Sequence, residues 1–282
     1  MILNLVTRNL KLYFRDRASV FFSLLGVIII VGLYVLFLGK MMVDYSTQLV
    51  GESARFLMTS WIVAGVVSVT AITTCNGAFG IMVEDTALNR LRDFKVSPIK
   101  RWQLVLGYVL AAMVVALLMT LFTLVLGELY IYLDGGEILG FLSLIKVLGI
   151  VLLSVFSSSA FIFLIMAFIK TQNAFGTASS IIGTLIGFLM GIYIPIGNLP
   201  TGVQTLIKLF PLSHSGVLLR KTMMNEAMDI ELLPEEFKTF LGLTYKLNGE
   251  VMGDIYHLLY LSISGLVFYV LAIVIISKKR DK

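Results

Sequence analysis

The sequence predicts an all-α membrane protein with six transmembrane helices, an N-terminal interfacial amphipathic helix, and an outer re-entrant helical hairpin before the last crossing. Three observations lead there. Hydrophobic residues make up 58% of the 282-residue chain and charged residues 14%, with a mean hydropathy of +0.95, whereas a soluble domain carries roughly 25% charged residues. Six mostly apolar runs, at 18–39, 56–83, 104–126, 141–169, 174–194 and 255–276, can each cover a hydrocarbon layer of about 30 Å at about 1.5 Å rise per residue. These runs are long and uncharged rather than alternating, so helices satisfy the backbone in lipid and barrel strands do not fit the pattern.

Residues 2–17 precede the first run. Leu3, Val6, Leu10, Tyr13 and Phe14 recur at three- and four-residue steps while Asn4, Thr7, Arg8, Lys11 and Arg15 take the other face, which predicts a helix lying on the membrane surface. The first run is too long for a cleavable signal, and Gly39-Lys40-Met41 is no small-residue cleavage site. After the second run, residues 84–101 form a polar loop in which Leu88, Leu91, Phe94 and Lys95 share a helical face until Ser97-Pro98 stops the helix. Asp134-Gly135-Gly136-Glu137 reads as a tight turn, and Lys170-Thr171-Gln172-Asn173 joins the fourth and fifth runs.

The fifth run places Gly183, Gly187 and Gly191 at four-residue spacing, with Gly176, Ser180 and Thr184 as a second row. Small residues let helix backbones approach closely in lipid, here toward a helix of the same chain or of a second copy. The segment 195–254 opens with Ile194-Pro195-Ile196-Gly197-Asn198-Leu199-Pro200, continues through Val203 to Leu209 and meets Pro211. That stretch is too short and too broken to cross, which predicts a hairpin packed within the protein or at the interface. Residues 225–253 are acidic and polar, an external cap with a helix near Pro234-Glu235-Glu236-Phe237.

Charge sets the expected orientation. Arg8, Lys11, Arg15 and Arg17, then Arg90, Arg92, Lys95, Lys100 and Arg101, then Lys278, Lys279, Arg280 and Lys282 fall on one side of six crossings. The other side has Lys40 and Arg55 in its first loop and no basic residue at 134–140, so both termini are expected in the cytoplasm. The net charge of +5 reads as this bias plus attraction to anionic lipid, with no nucleic-acid partner. The single cysteine, Cys75, lies in the second run and has no partner for an intrachain disulfide.

No enzymatic motif stands out. Gly39-Lys40 is followed by Met41, so there is no phosphate-cradling P-loop, and His214 and His257 lack the spacing of a His-Glu-x-x-His zinc site. Serines such as those at 157–159 have no histidine on a facing run, because both histidines sit in or beside the outer loop. Ion-coupled carriers place ionisable groups near the bilayer centre, whereas the runs hold only Glu128 and Lys146, toward their ends. The driving force is therefore expected from outside the membrane, entering at residues 84–101.

The stretch Glu84-Asp85-Thr86-Ala87-Leu88, continuing to Ser97-Pro98-Ile99, resembles the acidic start, short coupling helix and Ser/Thr-Pro end of ABC-2 type permeases. Gly191 with Pro195, Leu199-Pro200, Pro211-Leu212 and Arg220 resembles that family's outer re-entrant segment. The chain departs from many relatives in having Asp85-Thr86-Ala87 where they have a glycine soon after the glutamate. The resemblance spans essentially the whole chain. It implies a bacterial plasma-membrane exporter of drugs, antibiotics, peptides or lipid-like cargo, built from two permeases, identical or paralogous, and two separate ATP-binding cassette subunits. The permease would bind no cofactor, ATP and magnesium residing on the ATPase.

Within that resemblance, Glu84, Asp85, Leu88, Leu91, Phe94, Ser97 and Pro98 would couple to the ATPase. Pro195, Leu199, Pro200, Pro211 and Arg220 would form the outer gate, with Arg220 anchored on an acidic partner or lipid headgroups. Thr70, Thr73, Thr74 and Asn76 of the second run, with Gly183, Gly187 and Gly191 of the fifth, would border the pathway or pack helices. The alternatives are an ATP-independent secondary transporter and, more remotely, an intramembrane enzyme.

Overall fold

A computed structural model describes residues 1–88, 90, 99–247 and 249–278. Helix α1 (Ile2–Arg15) ends where Asp16 leaves helical geometry at ψ 88°. The Asp16 carboxylate then accepts from Ala18 N at 3.1 Å and Ser19 N at 3.2 Å, capping α2 (Arg17–Leu33). Residues 2–17 are thus one helix plus the start of the next, divided by a side-chain cap.

Helix α2 does not stop at Gly39-Lys40. It passes through a π-helical turn, Tyr34–Leu38, into α3 (Gly39–Val50). The expected first loop is therefore mostly helical, because Met42 and Ser46 bury one face while Lys40 and Asp44 remain exposed. Tyr45 of α3 reaches the rings of Phe237 and Phe240 at 6.3 and 5.7 Å between centroids.

The next helices are α4 (Ala54–Ala87), α5 (Arg101–Leu133), α6 (Phe141–Met166) and α7 (Gln172–Leu189). A 3-10 turn, Ile196–Asn198, leads to α8 (Thr201–Leu209) and α9 (Ser213–Met224), joined at 210–212. Helix α10 (Glu235–Leu241) starts at Pro234 and ends at Gly242, whose φ of +70° suits a residue without Cβ. A two-rung hairpin, β1 (Lys246–Leu247) against β2 (Glu250–Val251), pairs Lys246 with Val251, a small departure from an all-helical fold. Helix α11 (Asp254–Lys278) closes the described chain.

Among the described residues, five helical segments are long and apolar enough to cross a membrane: Arg17–Phe37, Gly39–Ala87, Trp102–Leu133, Phe141–Met166 and Asp254–Lys278. The sixth expected crossing, 174–194, falls on α7. That helix is shorter, 18 residues, begins with Gln172-Asn173 and carries the two rows of Gly, Ser and Thr that dilute its apolar character. Residues 195–211 hold the 3-10 turn and α8, which pairs with α9, buried from Ser213 to Arg220.

Helix α4 is the axis of the bundle. Every residue from Leu57 to Asn76 is buried, with α2, α3, α5, α6, α7 and α9 packed around it. A helix apolar on all sides needs protein or lipid around it, and here protein surrounds it. Helix α1 lies across α5, burying Leu5, Val6, Asn9 and Tyr13. Gly107 of α5 admits it: a Cβ there would lie 2.9 Å from the Leu5 Cβ. The apolar stripe expected on one face of α1 serves two surfaces, since Leu3 and Phe14 stay exposed.

Trp61 ties α4 to the far end of the bundle, its indole Nε1–H donating to the Leu241 carbonyl at 2.9 Å. Trp61→Phe keeps the ring and strands that buried acceptor. It should cost about 1 to 3 kcal/mol, read as a lower melting temperature of the purified protein in lipid nanodiscs, and a parent-like Tm would show that this bond does not hold the cap.

Candidate functional site

An acid in the last turn of an apolar helix must find cations or hydrogen bonds, because an unpaired buried carboxylate is costly. Asp85 finds both. Its side chain is fully buried, and Arg8 of α1 grips it with Nη1 to Oδ2 at 2.7 Å and Nη2 to Oδ1 at 3.0 Å. Tyr108 of α5 donates to Oδ2 at 2.6 Å. Arg90 Nη1 donates to Asp85 Oδ1 at 3.3 Å and to Glu84 Oε1 at 3.0 Å. The bond to Asp85 holds the Arg8 guanidinium above its ordinary range. Three elements, α1, α4 and α5, meet on one carboxylate at the point where the chain enters the loop.

Of the residues assigned to coupling, Glu84 is half-buried, Asp85 buried and Leu88 exposed at the end of α4. Leu91, Phe94, Ser97 and Pro98 lie outside the described residues. Arg8 and Tyr108 escaped sequence reading. Arg8 was one of several basic residues in an N-terminal tail, and the signal that could have singled it out was the need of Asp85 for a cation.

Beside this cluster a cavity of about 570 Å³ opens between α1, α2, α4 and α7. Arg15, Asp16, Glu84, Arg90 and Gln172 line its polar part, and Phe22, Ile81, Phe175 and Ile182 its apolar part. Thr73 and Asn76 of α4 and Gly183 of α7 border it as well. The Asn76 Oδ1 and the Ser179 Oγ, on helices either side of it, have no hydrogen-bond partner among the described residues. Tyr13 and Ser23 close one corner with a 2.6 Å hydroxyl pair, and burial pushes the Tyr13 phenol up to about 12, so it stays protonated.

The other predicted α4 residues point elsewhere. Thr70 and Thr74 are fully buried and spend their hydroxyls on Val66 O at 2.8 Å and Thr70 O at 2.6 Å, the back-bonding that hides a hydroxyl inside a helix. The glycine row of α7 also divides. A Cβ at Gly183 would meet nothing within 4 Å, one at Gly187 would strike the Tyr193 ring at 2.2 Å, and Gly191 turns the chain at φ +62° with Ile196 at 2.5 Å. Gly187 and Gly191 serve packing within the chain, and Gly183 keeps the cavity open. In the second row, Gly176, Ser180 and Thr184 are exposed.

At the opposite end, Pro195 is buried and leads into the 3-10 turn, Pro200 precedes α8, and Pro211 sits in the α8–α9 corner. Leu199 packs with Ile196, Ile207, Val217, Tyr245 and Met252. Arg220 departs from expectation. It meets neither a carboxylate among the described residues nor a headgroup, because it is fully buried at the C-terminal end of α7. Nη2 donates to Met190 O at 2.7 Å and Gly191 O at 3.0 Å, and the guanidinium carbon stands 5.0 Å from the centroid of the Trp61 ring. Helix-end carbonyls and an indole face stand in for the anion. Burial still lowers the guanidinium to about 10, well above neutral pH.

The profile described as ABC-2 family transporter protein matches residues 45–274, from α3 to near the end of α11. It covers the α4 and α7 walls of the cavity, while α1 and α2 precede it. No curated protein matches the chain.

Removing Asp85 strands two arginines and a tyrosine. Asp85→Ala should destabilise by about 3 to 5 kcal/mol, and in a double-mutant cycle with Arg8→Ala the combined loss should be smaller than the sum. Thermal unfolding in nanodiscs reads both, and strict additivity would mean that the two side chains do not act as a pair.

Proposed function

The chain belongs to the ABC-2 transporter family, and from that premise we propose that it is the permease subunit of an ATP-driven exporter in a bacterial cytoplasmic membrane. Two such permeases, identical or paralogous, surround the pathway, and a separate ATP-binding cassette subunit binds ATP and magnesium and supplies the work. Both termini and the loop after α4 face the cytoplasm. Helix α7 completes six crossings, and the α8–α9 hairpin with Pro195, Pro211 and Arg220 supports the outer gate.

The observation that carries this reading is the mixed cavity between α2, α4 and α7 next to the Asp85 cluster. Its apolar rings and its polar, charged side suit amphipathic or hydrophobic cargo such as a drug, an antibiotic, a peptide or a lipid-like molecule. The loop that would dock on the ATPase leaves α4 two residues after Asp85. A shift of that loop moves Arg90, which touches both Asp85 and the cavity, and through Asp85 it reaches α1, another wall of the cavity.

Gly183→Phe places a ring in free space and should lower cargo export at least about tenfold, equivalent to about 1.4 kcal/mol of lost binding, with membrane level and ATPase association unchanged. Unchanged export would remove the cavity from the pathway. Phe94→Ala or Pro98→Ala should leave the protein in the membrane and abolish copurification with the ATPase; retained cargo-stimulated ATP hydrolysis in the purified complex would count against the coupling role. Transport by liposomes holding this chain alone, driven by an ion gradient, would establish a secondary transporter instead.

A further inference from the structure

His214 of α9 and His257 of α11 form a buried pair that neither the cavity nor the Asp85 cluster uses. Both side chains are fully enclosed, and their Nδ1 atoms stand 2.6 Å apart. At that separation one hydrogen lies between them, since two bare nitrogens repel and two N–H groups collide. The second bond of His214 decides which ring supplies it. Its Nε2 is 2.9 Å from the Lys208 carbonyl, which can only accept, so in the neutral ring Nε2 carries the hydrogen and Nδ1 is bare. His257 Nδ1–H is then the donor, and its buried Nε2 has no hydrogen-bond partner among the described residues.

In this arrangement both rings are neutral. A proton added to His214 goes to Nδ1, and the bond then survives only if His257 moves its own hydrogen to Nε2, which leaves a cation in the enclosed pair. A proton added to His257 goes to Nε2 and creates a cation in an enclosed site. The surroundings offer backbone carbonyls, of Lys208 to His214 and of Met252 to His257, and tyrosine rings, within a site closed to water. Tyr245, Tyr256 and Tyr260 pack on the rings, Tyr260 at 4.5 Å from His214. Lys208 of α8 contributes its carbonyl. The nearest acid, Asp254 of α11, is already paired with Lys221 of α9 at 2.5 Å. Among the described residues no group of three His, Cys, Asp or Glu could hold a metal ion.

We propose that His214 and His257 form an acid-sensitive latch: as neutral rings they hold the α8–α9 hairpin against the first turn of α11, and protonation releases it. Burial lowers His214 from the ordinary 6.5 to about 4. A released ring binds its proton near 6.5 and the latched ring resists until about 4, so latching is complete above pH 6.5 and weakens as pH falls toward 4. For one such ring the opening equilibrium rises about twenty-fold between pH 7 and pH 5.

Hydrogen exchange on the full-length protein in lipid nanodiscs, corrected for intrinsic exchange, tests this without ATPase or cargo. Opening of α8 and α9 amides should rise about twenty-fold from pH 7 to pH 5 while α4 amides hold constant. The double variant His214→Gln/His257→Gln keeps a donor for Lys208 and an amide pair between the two helices but cannot titrate, and its hairpin should stay closed at both pH values. If that variant fails to fold, His257→Gln serves, because its amide can turn an oxygen toward a protonated His214 and blunt the response. A parent hairpin equally protected at pH 7 and pH 5 overturns the latch, and so does a parent-like pH response in the folded variant.

Discussion

The enclosure of α4 is the constraint on which the rest of the structure depends. From Leu57 to Asn76 this helix presents no charge and no exposed residue, so each neighbour must pack against it and its buried hydroxyls need acceptors close by. Ser68, Thr70, Thr73 and Thr74 meet the second demand by bonding to carbonyls of their own helix. Glycines at the contacts meet the first. Gly127 of α5 receives Val63, Gly65 receives Ile192, and Gly80 sits under Phe175 of α7. In lipid, such close approach provides the dispersion contacts that hold helices together when no hydrophobic effect separates them from solvent.

Polar chemistry is confined to the two ends of that axis and differs between them. At one end a carboxylate, Asp85, collects Arg8, Arg90 and Tyr108. At the other, a cation, Arg220, is held without a carboxylate by helix-end carbonyls and Trp61. Arginine suits this second site better than lysine. Its guanidinium stands 5.0 Å from the centroid of the indole ring while Nη2 reaches Met190 and Gly191, and it sheds water more readily than an ammonium group. Each end therefore binds its surrounding helices to α4 by directional bonds, and the middle by shape alone.

Long apolar runs made most of the bundle legible, because membrane helices must be continuous and apolar and the sequence states both. Charge asymmetry and the prolines placed the loop after α4 and the break before α8. What escaped were contacts between segments remote in sequence. Arg8 and Asp85 are 77 residues apart, and no local pattern pairs them. The continuation of α2 into α3 was hidden because Gly39-Lys40 reads as a boundary, although a helix leaving the membrane can carry Lys40 and Asp44 outward while burying Met42 and Ser46. Within the candidate site, Thr73, Asn76 and Gly183 do border the cavity, but Thr70, Thr74, Gly187 and Gly191 share their spacing and serve packing. Residue type and period alone do not separate the two roles, since both require small or polar side chains on a helix face.

The placement of α1 gives this architecture a mechanical character. A surface helix that merely anchored the chain would need an apolar face and basic flanks. This one also spends Asn9, Tyr13 and Arg8 on buried contacts with the bundle, walls the cavity with Leu12, Tyr13 and Arg15, and lies on Gly107 with no space for a side chain between. Its position is thus tied to α4 and α5 together. In the proposed exporter, displacement of the loop beyond Asp85 cannot leave α1 behind without breaking a buried ion pair. Under that proposal Asp85 is the joint between the cavity wall and the loop, because it holds Arg8 of α1 and Arg90 at once.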